Sequence, residues 1–205
     1  MATELHPRNA ALMARVRAAE AANGGHLPMP DVASWDIFPF EGDVRVTPLK
    51  DPVLPEPHRS GEGDNPCESC GRGTDGALWT DGTWTLIGLR EPASIPIVLL
   101  LPVEHYDHEE LPEELARDMG WLQVRLSRAM HALGGVGRVH VWKVGDGGRH
   151  LHWWFFARPE GVLQLRGSSL SDWSDCIPPM PQDEWDDVLR QIAAGLAATG
   201  GTALV

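Results

Sequence analysis

The chain has 205 residues and a formal net charge of −12 at neutral pH. That length suits one domain, or one domain with an arm, and supports a full hydrophobic core. The acidic balance excludes a sequence-independent nucleic-acid binder, which needs a basic face. No apolar run approaches the roughly 20 residues that cross a bilayer. The N-terminus, with Glu4, His6 and Pro7, lacks an apolar export core, so no membrane partner and a cytoplasmic location are expected. Cys67, Cys70 and Cys176 are too few, and odd in number, for a secreted disulfide framework.

Ala10 to Ala22 is rich in alanine and arginine and predicts a short helix, closed by Asn23-Gly24-Gly25. Prolines recur from Pro28 to Pro66, which predicts an extended arm with one edge strand at Asp43 to Thr47. We therefore divide the chain into residues 1–60, a helix and proline-rich arm, and residues 61–205, the main domain. Ala77 to Thr80 and Thr83 to Leu89 flank Asp81-Gly82, a strong hairpin signal. Ile95 to Leu101 is an apolar run of strand length, ended by Pro102. Leu111 to Leu133 carries Leu115, Met119, Leu122, Leu126 and Met130 at helical spacing, with acidic residues early and arginines late. Arg138 to Val144 and His150 to Ala157 predict a hairpin across a glycine-rich turn, and Gln182 to Ala198 predicts a final helix stopped by Gly200-Gly201. The order β, β, β, α, β, β, α implies an α+β fold with an antiparallel sheet.

Within that frame, His150 and His152 are two residues apart in a run that reads as a strand. Side chains at i and i+2 share a face, so the imidazoles stand about 6 to 7 Å apart at their backbones. Trp154 continues that face, while Leu151, Trp153 and Phe155 point to the other. Histidine is not a preferred interior residue, so packing alone explains the pair poorly.

Cys67-Glu68-Ser69-Cys70 is a Cys-x-x-Cys knuckle, expected on a loop. Thiolates at this spacing can share one tetrahedral zinc, which takes nitrogen or sulfur ligands. His105, after the apolar strand, and His150 are the natural suppliers of the other two. A redox pair and two unrelated thiols are the weaker alternatives, the redox pair because the motif does not lie in a βαβ unit.

Four blocks in order resemble the histidine triad superfamily, in particular its zinc-bearing branch and the related galactose-1-phosphate uridylyltransferases. They are Cys67-x-x-Cys70, Leu101-Pro102-Val103-Glu104-His105, the long helix, and His150-x-His152, together covering roughly residues 65–159. The resemblance implies a structural zinc held by Cys67, Cys70, His105 and His150. It implies that His152 is a nucleophile that attacks a nucleotide phosphorus and forms a nucleotidyl-histidine intermediate. It also implies a nucleotide or nucleotide-sugar ligand and, often in the family, a homodimer, although no residue here sets the oligomeric state.

The chain departs from the family at Trp154, where the hydrolases carry a third histidine and the uridylyltransferases a glutamine. Indole has one N–H donor and no proton to exchange near neutral pH, so Trp154 cannot act as general acid for a leaving group. In place of the family's phosphate-holding stretch stands Lys143-Val144-Gly145-Asp146-Gly147-Gly148-Arg149. The amides of Gly147 and Gly148 can cradle an anion, with Lys143 or Arg149 to neutralise it. Two readings follow: a nucleotidyl hydrolase or transferase working through His152, or an inactive domain of the same fold that binds nucleotides or proteins.

Overall fold

The computed structural model describes residues 7–205; Glu4 and His6, on which the expectation about export rests, lie outside them. The chain divides into two compact units, Met1–Pro57 and His58–Val205. No helix of the described residues is long and apolar enough to cross a membrane.

In the first unit, helix α1 (Pro7–Ala22) has proline at its first position, where a missing N–H costs no helical hydrogen bond. Its end is tied to the proline-rich stretch through Arg17, whose Nη1 donates to Glu20 Oε2 at 2.8 Å and to the Leu49 carbonyl at 2.7 Å. Glu20 Oε1 in turn accepts from the Leu49 amide at 2.8 Å. The edge strand expected at Asp43 to Thr47 is reduced to a single antiparallel bridge between Leu27 and Val46. Pro28 and Pro48 flank that bridge and have no N–H with which to extend a ladder.

The second unit opens with a one-turn helix, α2 (Glu68–Arg72), where a loop was expected around the cysteines. A hairpin follows, β1 (Ala77–Thr80) and β2 (Trp84–Gly88). Asp81 makes the turn by accepting, through Oδ1, the amides of Thr83 at 2.9 Å and Trp84 at 2.7 Å. Strand β3 (Ile97–Pro102) is buried at every position, the pattern of a strand covered on both faces. Helix α3 (Glu113–His131) buries Leu122, Leu126, Ala129 and Met130. Strands β4 (Val136–Trp142) and β5 (Trp153–Pro159) make the second antiparallel pair.

A short helix, α4 (Leu170–Cys176), precedes α5 (Gln182–Ala197), whose Trp185, Leu189, Ile192, Ala193 and Leu196 are buried. Last comes β6 (Thr202–Ala203), paired with β1. The six strands lie in the order β4-β5-β3-β2-β1-β6, with every neighbouring pair antiparallel. The main core joins α3 and α5 to Leu86, Val98, Leu100 and Phe155 of the sheet, while Ala77, Ile87, Leu99 and Leu101 form a smaller apolar cluster with Trp154 packed against it. The fold is α+β as the element order implied.

The strand expected from His150 begins instead at Trp153, so His150 and His152 precede it and do not share a strand face. The ladder between β3 and β5 ends at Leu100 paired with Trp153. Beyond that point Pro102 has no N–H to offer, and the Leu151 amide turns away to the Tyr106 carbonyl at 2.7 Å.

The stretch between β3 and α3 is fixed by Asp107. Its Oδ1 accepts the His108 amide at 2.7 Å, capping a 3-10 turn over His108–Glu110, and its Oδ2 accepts from Arg59 Nη2 at 2.8 Å. Burial pushes the Asp107 carboxyl up, but the His108 amide, Arg59 and Lys143 outweigh it and hold it below its ordinary value. An acid held low contributes stability that is present above its unfolded value of about 3.9 and is lost as pH falls through its folded value. Asp107→Asn should lower stability at neutral pH by on the order of 1.5–3 kcal/mol, the worth of a charge-assisted hydrogen bond. It should also flatten the acid limb below about pH 4; urea unfolding from pH 7 to pH 2 that gave parallel curves for the two proteins would refute this.

Gly201, between α5 and β6, has φ 79°, and a Cβ there would stand 2.3 Å from the Trp79 ring, whose Nε1 donates to the Gly200 carbonyl at 2.9 Å. Gly201→Ala should therefore cost about 1–3 kcal/mol through backbone strain and a displaced indole. The measurement is the thermal midpoint together with near-ultraviolet circular dichroism of the tryptophans.

Candidate metal centre and cleft

Cys67 caps α2: its Sγ accepts the Cys70 amide at 3.4 Å, so the two thiols face one point from a single helical turn. His105 follows β3 and His150 precedes β5, both reaching the same point. Cys67 Sγ and Cys70 Sγ each lie 3.5 Å from His150 Nδ1, and Cys70 Sγ lies 3.4 Å from His105 Nδ1. All four ligand atoms fall within 4.8 Å of one another. For zinc at about 2.3 Å from sulfur and about 2.05 Å from nitrogen, tetrahedral geometry puts neighbouring S and N about 3.6 Å apart, so the spacing fits.

The surroundings of the four also suit a cation. His150 is 4% exposed, and its Nε2 meets the Pro102 carbonyl at 2.8 Å, which makes Nε2 the donor and turns the Nδ1 lone pair to the cluster. Burial depresses its proton affinity; the Pro102 carbonyl opposes this, while His105, His152 and Arg72 add to it. Burial, then the hydrogen bond and charge of Cys67, push the Cys70 thiol up to about 11, so ionising both sulfurs together calls for a cation between them. Gly61 backs the cluster at φ 81°, and a Cβ there would stand 2.6 Å from His105 Cε1.

His152 lies beside this cluster. Its Nδ1 meets the His150 carbonyl at 2.8 Å. A carbonyl only accepts, so Nδ1 carries the proton and Nε2 keeps a free lone pair. His152 lines a cleft of about 350 Å³. Ile87, Leu89, Leu99, Leu101 and Trp154 give it an apolar sheet surface; Ser60, Gly147 and Gly148 line another part, with Glu68, Ser69 and Arg72 of α2 and with Arg90.

The glycine turn is held by Ser60, whose amide donates to the Gly147 carbonyl at 3.1 Å and whose carbonyl accepts the Arg149 amide at 2.9 Å. A Cβ on Gly148 would lie 4.0 Å from His152 Cε1. The Trp154 ring stands edge-on to His152 with centroids 6.3 Å apart, and stacks on Phe156 at 6.0 Å.

Of the residues singled out by sequence, the structure thus brings together Cys67, Cys70, His105 and His150 in one cluster, and Gly147, Gly148, His152 and Trp154 in the adjoining cleft. Lys143 and Arg149 do not line that cleft: Lys143 Nζ is 3.9 Å from Asp107 Oδ1, and Arg149 pairs with Glu110. Arg158 spends its Nη1 on the carbonyls of Pro159 and Val162. His140, on edge strand β4, has a buried Nε2 with no hydrogen-bond partner among the described residues, and burial, then Arg158, depresses its proton affinity.

Sequence reasoning missed Ser60, Arg72 and Arg90. Arg72 alone carried a local signal, since it follows the second cysteine by two residues on the same helical turn.

No protein-family model matches the chain, and a search of curated proteins found no match. Among solved structures it is similar to a hypothetical histidine triad nucleotide-binding protein from Sulfolobus tokodaii, at TM-score 0.50 and 15% identity, covering 64% of this chain and 93% of that one. It is also similar to a histidine triad protein from Marinobacter aquaeolei (TM-score 0.49, 20% identity, 63% and 94% covered). A zinc-bound histidine triad family protein from Mycobacterium smegmatis is a further similar structure (TM-score 0.44, 20% identity, 60% and 88% covered). At these identities the likeness is one of fold, and the chain shares the α+β fold of the histidine triad protein from Sulfolobus tokodaii.

Proposed function

We propose that the protein is a nucleotidyl hydrolase or transferase that works through a covalent intermediate on His152, on a fold braced by a structural zinc. The observation that carries this reading is the 2.8 Å hydrogen bond from His152 Nδ1 to the His150 carbonyl. It keeps the ring in the tautomer whose Nε2 can attack phosphorus, and that ring opens on a cleft large enough for a small ligand. A nucleoside polyphosphate or nucleotide sugar is the substrate class the reading implies. The nucleotide-binding name of the similar Sulfolobus tokodaii protein supports it.

Cys67, Cys70, His105 and His150 would hold the zinc, which when bound acts as a cross-link between α2, the end of β3 and the start of β5. In the reaction, Nε2 of neutral His152 attacks the substrate phosphorus while Nδ1 keeps its proton against the His150 carbonyl, which steadies the positive charge that develops on the ring. The Gly147-Gly148 turn offers backbone amides to the phosphoryl oxygens. Water or an acceptor phosphate then displaces the ring and regenerates neutral His152.

A second reading, favoured by Trp154, is a domain of this fold that binds nucleotides without turnover, since indole cannot protonate a leaving group. Intact-mass measurement after brief exposure to dinucleoside polyphosphates and nucleotide sugars separates the two. The enzyme reading expects an acid-labile adduct on His152, and binding without any adduct would replace it with the second.

His152→Asn keeps an N–H for the His150 carbonyl and removes the nucleophile. It should leave the thermal midpoint and metal content unchanged while lowering turnover by on the order of 10³-fold or more; retained activity would end the assignment of His152. Cys67→Ser should act in the opposite way, lowering the thermal midpoint by several degrees and reducing zinc from about one per chain, because metal affinity is part of the folding free energy. Metal analysis with a melting curve checks this, and a wild-type protein that carries no zinc would remove the metal from the account.

A further inference from the structure

Two arginines that the proposed reaction does not use line the cleft beside His152. Arg72 ends α2, two residues past Cys70, and Arg90 lies just beyond β2. Among the described residues neither guanidinium has an ion-pair partner, although Glu68 lines the same cleft. Arg72 Nε is buried and donates to nothing among the described residues, a cost normally offset by a hydrogen bond. Other arginines of this unit pair with acids, as Arg59 and Arg149 do, or donate to carbonyls, as Arg125, Arg138 and Arg158 do; in a chain of net charge −12, half-buried Arg72 and exposed Arg90 do neither among the described residues.

We propose that Arg72 and Arg90 form an anion subsite that takes the leaving phosphate of the substrate, and that the substrate is therefore a phosphoric anhydride. The inference rests on the nucleophilic role of His152 and deepens it. Because Trp154 cannot supply a proton, a group that must be protonated as it departs, an alcohol or an amine, is a poor substrate here. A phosphate, whose second ionisation lies near about pH 6, leaves as an anion without one.

The balance is then complete. Nε2 of His152 forms the bond to phosphorus, the anhydride P–O bond breaks, and its electron pair departs on a phosphate oxygen held by the two guanidinium groups. Nδ1 keeps its proton throughout. In the second step water forms the new P–O bond and loses its proton to solvent, the P–N bond breaks, and its electron pair returns to Nε2.

The test uses the zinc-loaded full chain and inorganic pyrophosphate as the probe, followed by titration calorimetry. Wild-type protein should bind it, and Arg72→Gln and Arg90→Gln should each weaken binding by about tenfold or more. Arg90 is outside the metal knuckle, so its variant carries the test even if Arg72→Gln disturbs α2; zinc content and thermal midpoint report that disturbance. No binding to the wild type, or equal binding to Arg90→Gln and wild type, overturns the subsite.

In a second arm, adduct formation on His152 is followed with a dinucleoside polyphosphate and with a nucleoside 5′-phosphoramidate. The anhydride should give the adduct and the phosphoramidate should not; equal rates overturn the leaving-group half. Arginine-dependent pyrophosphate binding with no adduct from either compound would refute the role of His152 and leave the anion subsite standing.

Discussion

A single buried imidazole, His150, is the constraint on which the rest of the site depends. Its Nε2 is spent on the Pro102 carbonyl, its Nδ1 faces both thiols, and its own carbonyl orients His152. One residue therefore joins the end of β3, the cysteine turn and the candidate nucleophile. Each contact specifies the next: the Pro102 carbonyl sets the tautomer of His150, the tautomer sets which nitrogen meets the sulfurs, and the backbone between them sets the tautomer of His152. Burial keeps the ring neutral, as both a ligand and a hydrogen-bond donor at Nε2 require.

The sheet makes this possible by ending where it does. Strand β3 is buried at all its positions and closes on a proline, so the neighbouring chain is released from the ladder just before β5 begins. An uninterrupted strand through His150 and His152 would spend the His150 carbonyl on sheet pairing or on solvent. The loss of regular structure over three residues is what frees that carbonyl to accept from His152. The rigid frame behind it comes from α3 and α5 packed on the opposite side of β3 and β5, with Leu126, Met130, Ile192 and Leu196 fully buried.

Much of this was legible in the chain because the signals are local. Asp81-Gly82 between two short apolar runs, the spacing of Leu122, Leu126 and Met130, and the Cys67–Cys70 interval each imply a geometry within a few residues. What was not legible depends on distant partners. The start of β5 is decided by Pro102, some fifty positions earlier. Strand β6 has two residues and exists through its pairing with β1. Lys143 and Arg149 lie next to the glycine turn in sequence, yet Asp107 and Glu110 from another segment draw them aside. Arg72 and Arg90 meet at one cleft through the hairpin between them, which composition cannot foretell.

The tether on the glycine turn bears on how the protein is to be dissected. Ser60 pairs with Gly147 and Arg149 through its backbone alone, so substituting its side chain leaves those two bonds in place, whereas shortening the chain removes them. Arg59, one residue earlier, carries the ion pair to Asp107. A fragment begun at residue 61 would retain the cysteines, the histidines and the sheet, yet would lack the strap that positions the turn facing His152. Fragments meant to retain the cleft should begin no later than His58, where the second compact unit itself begins.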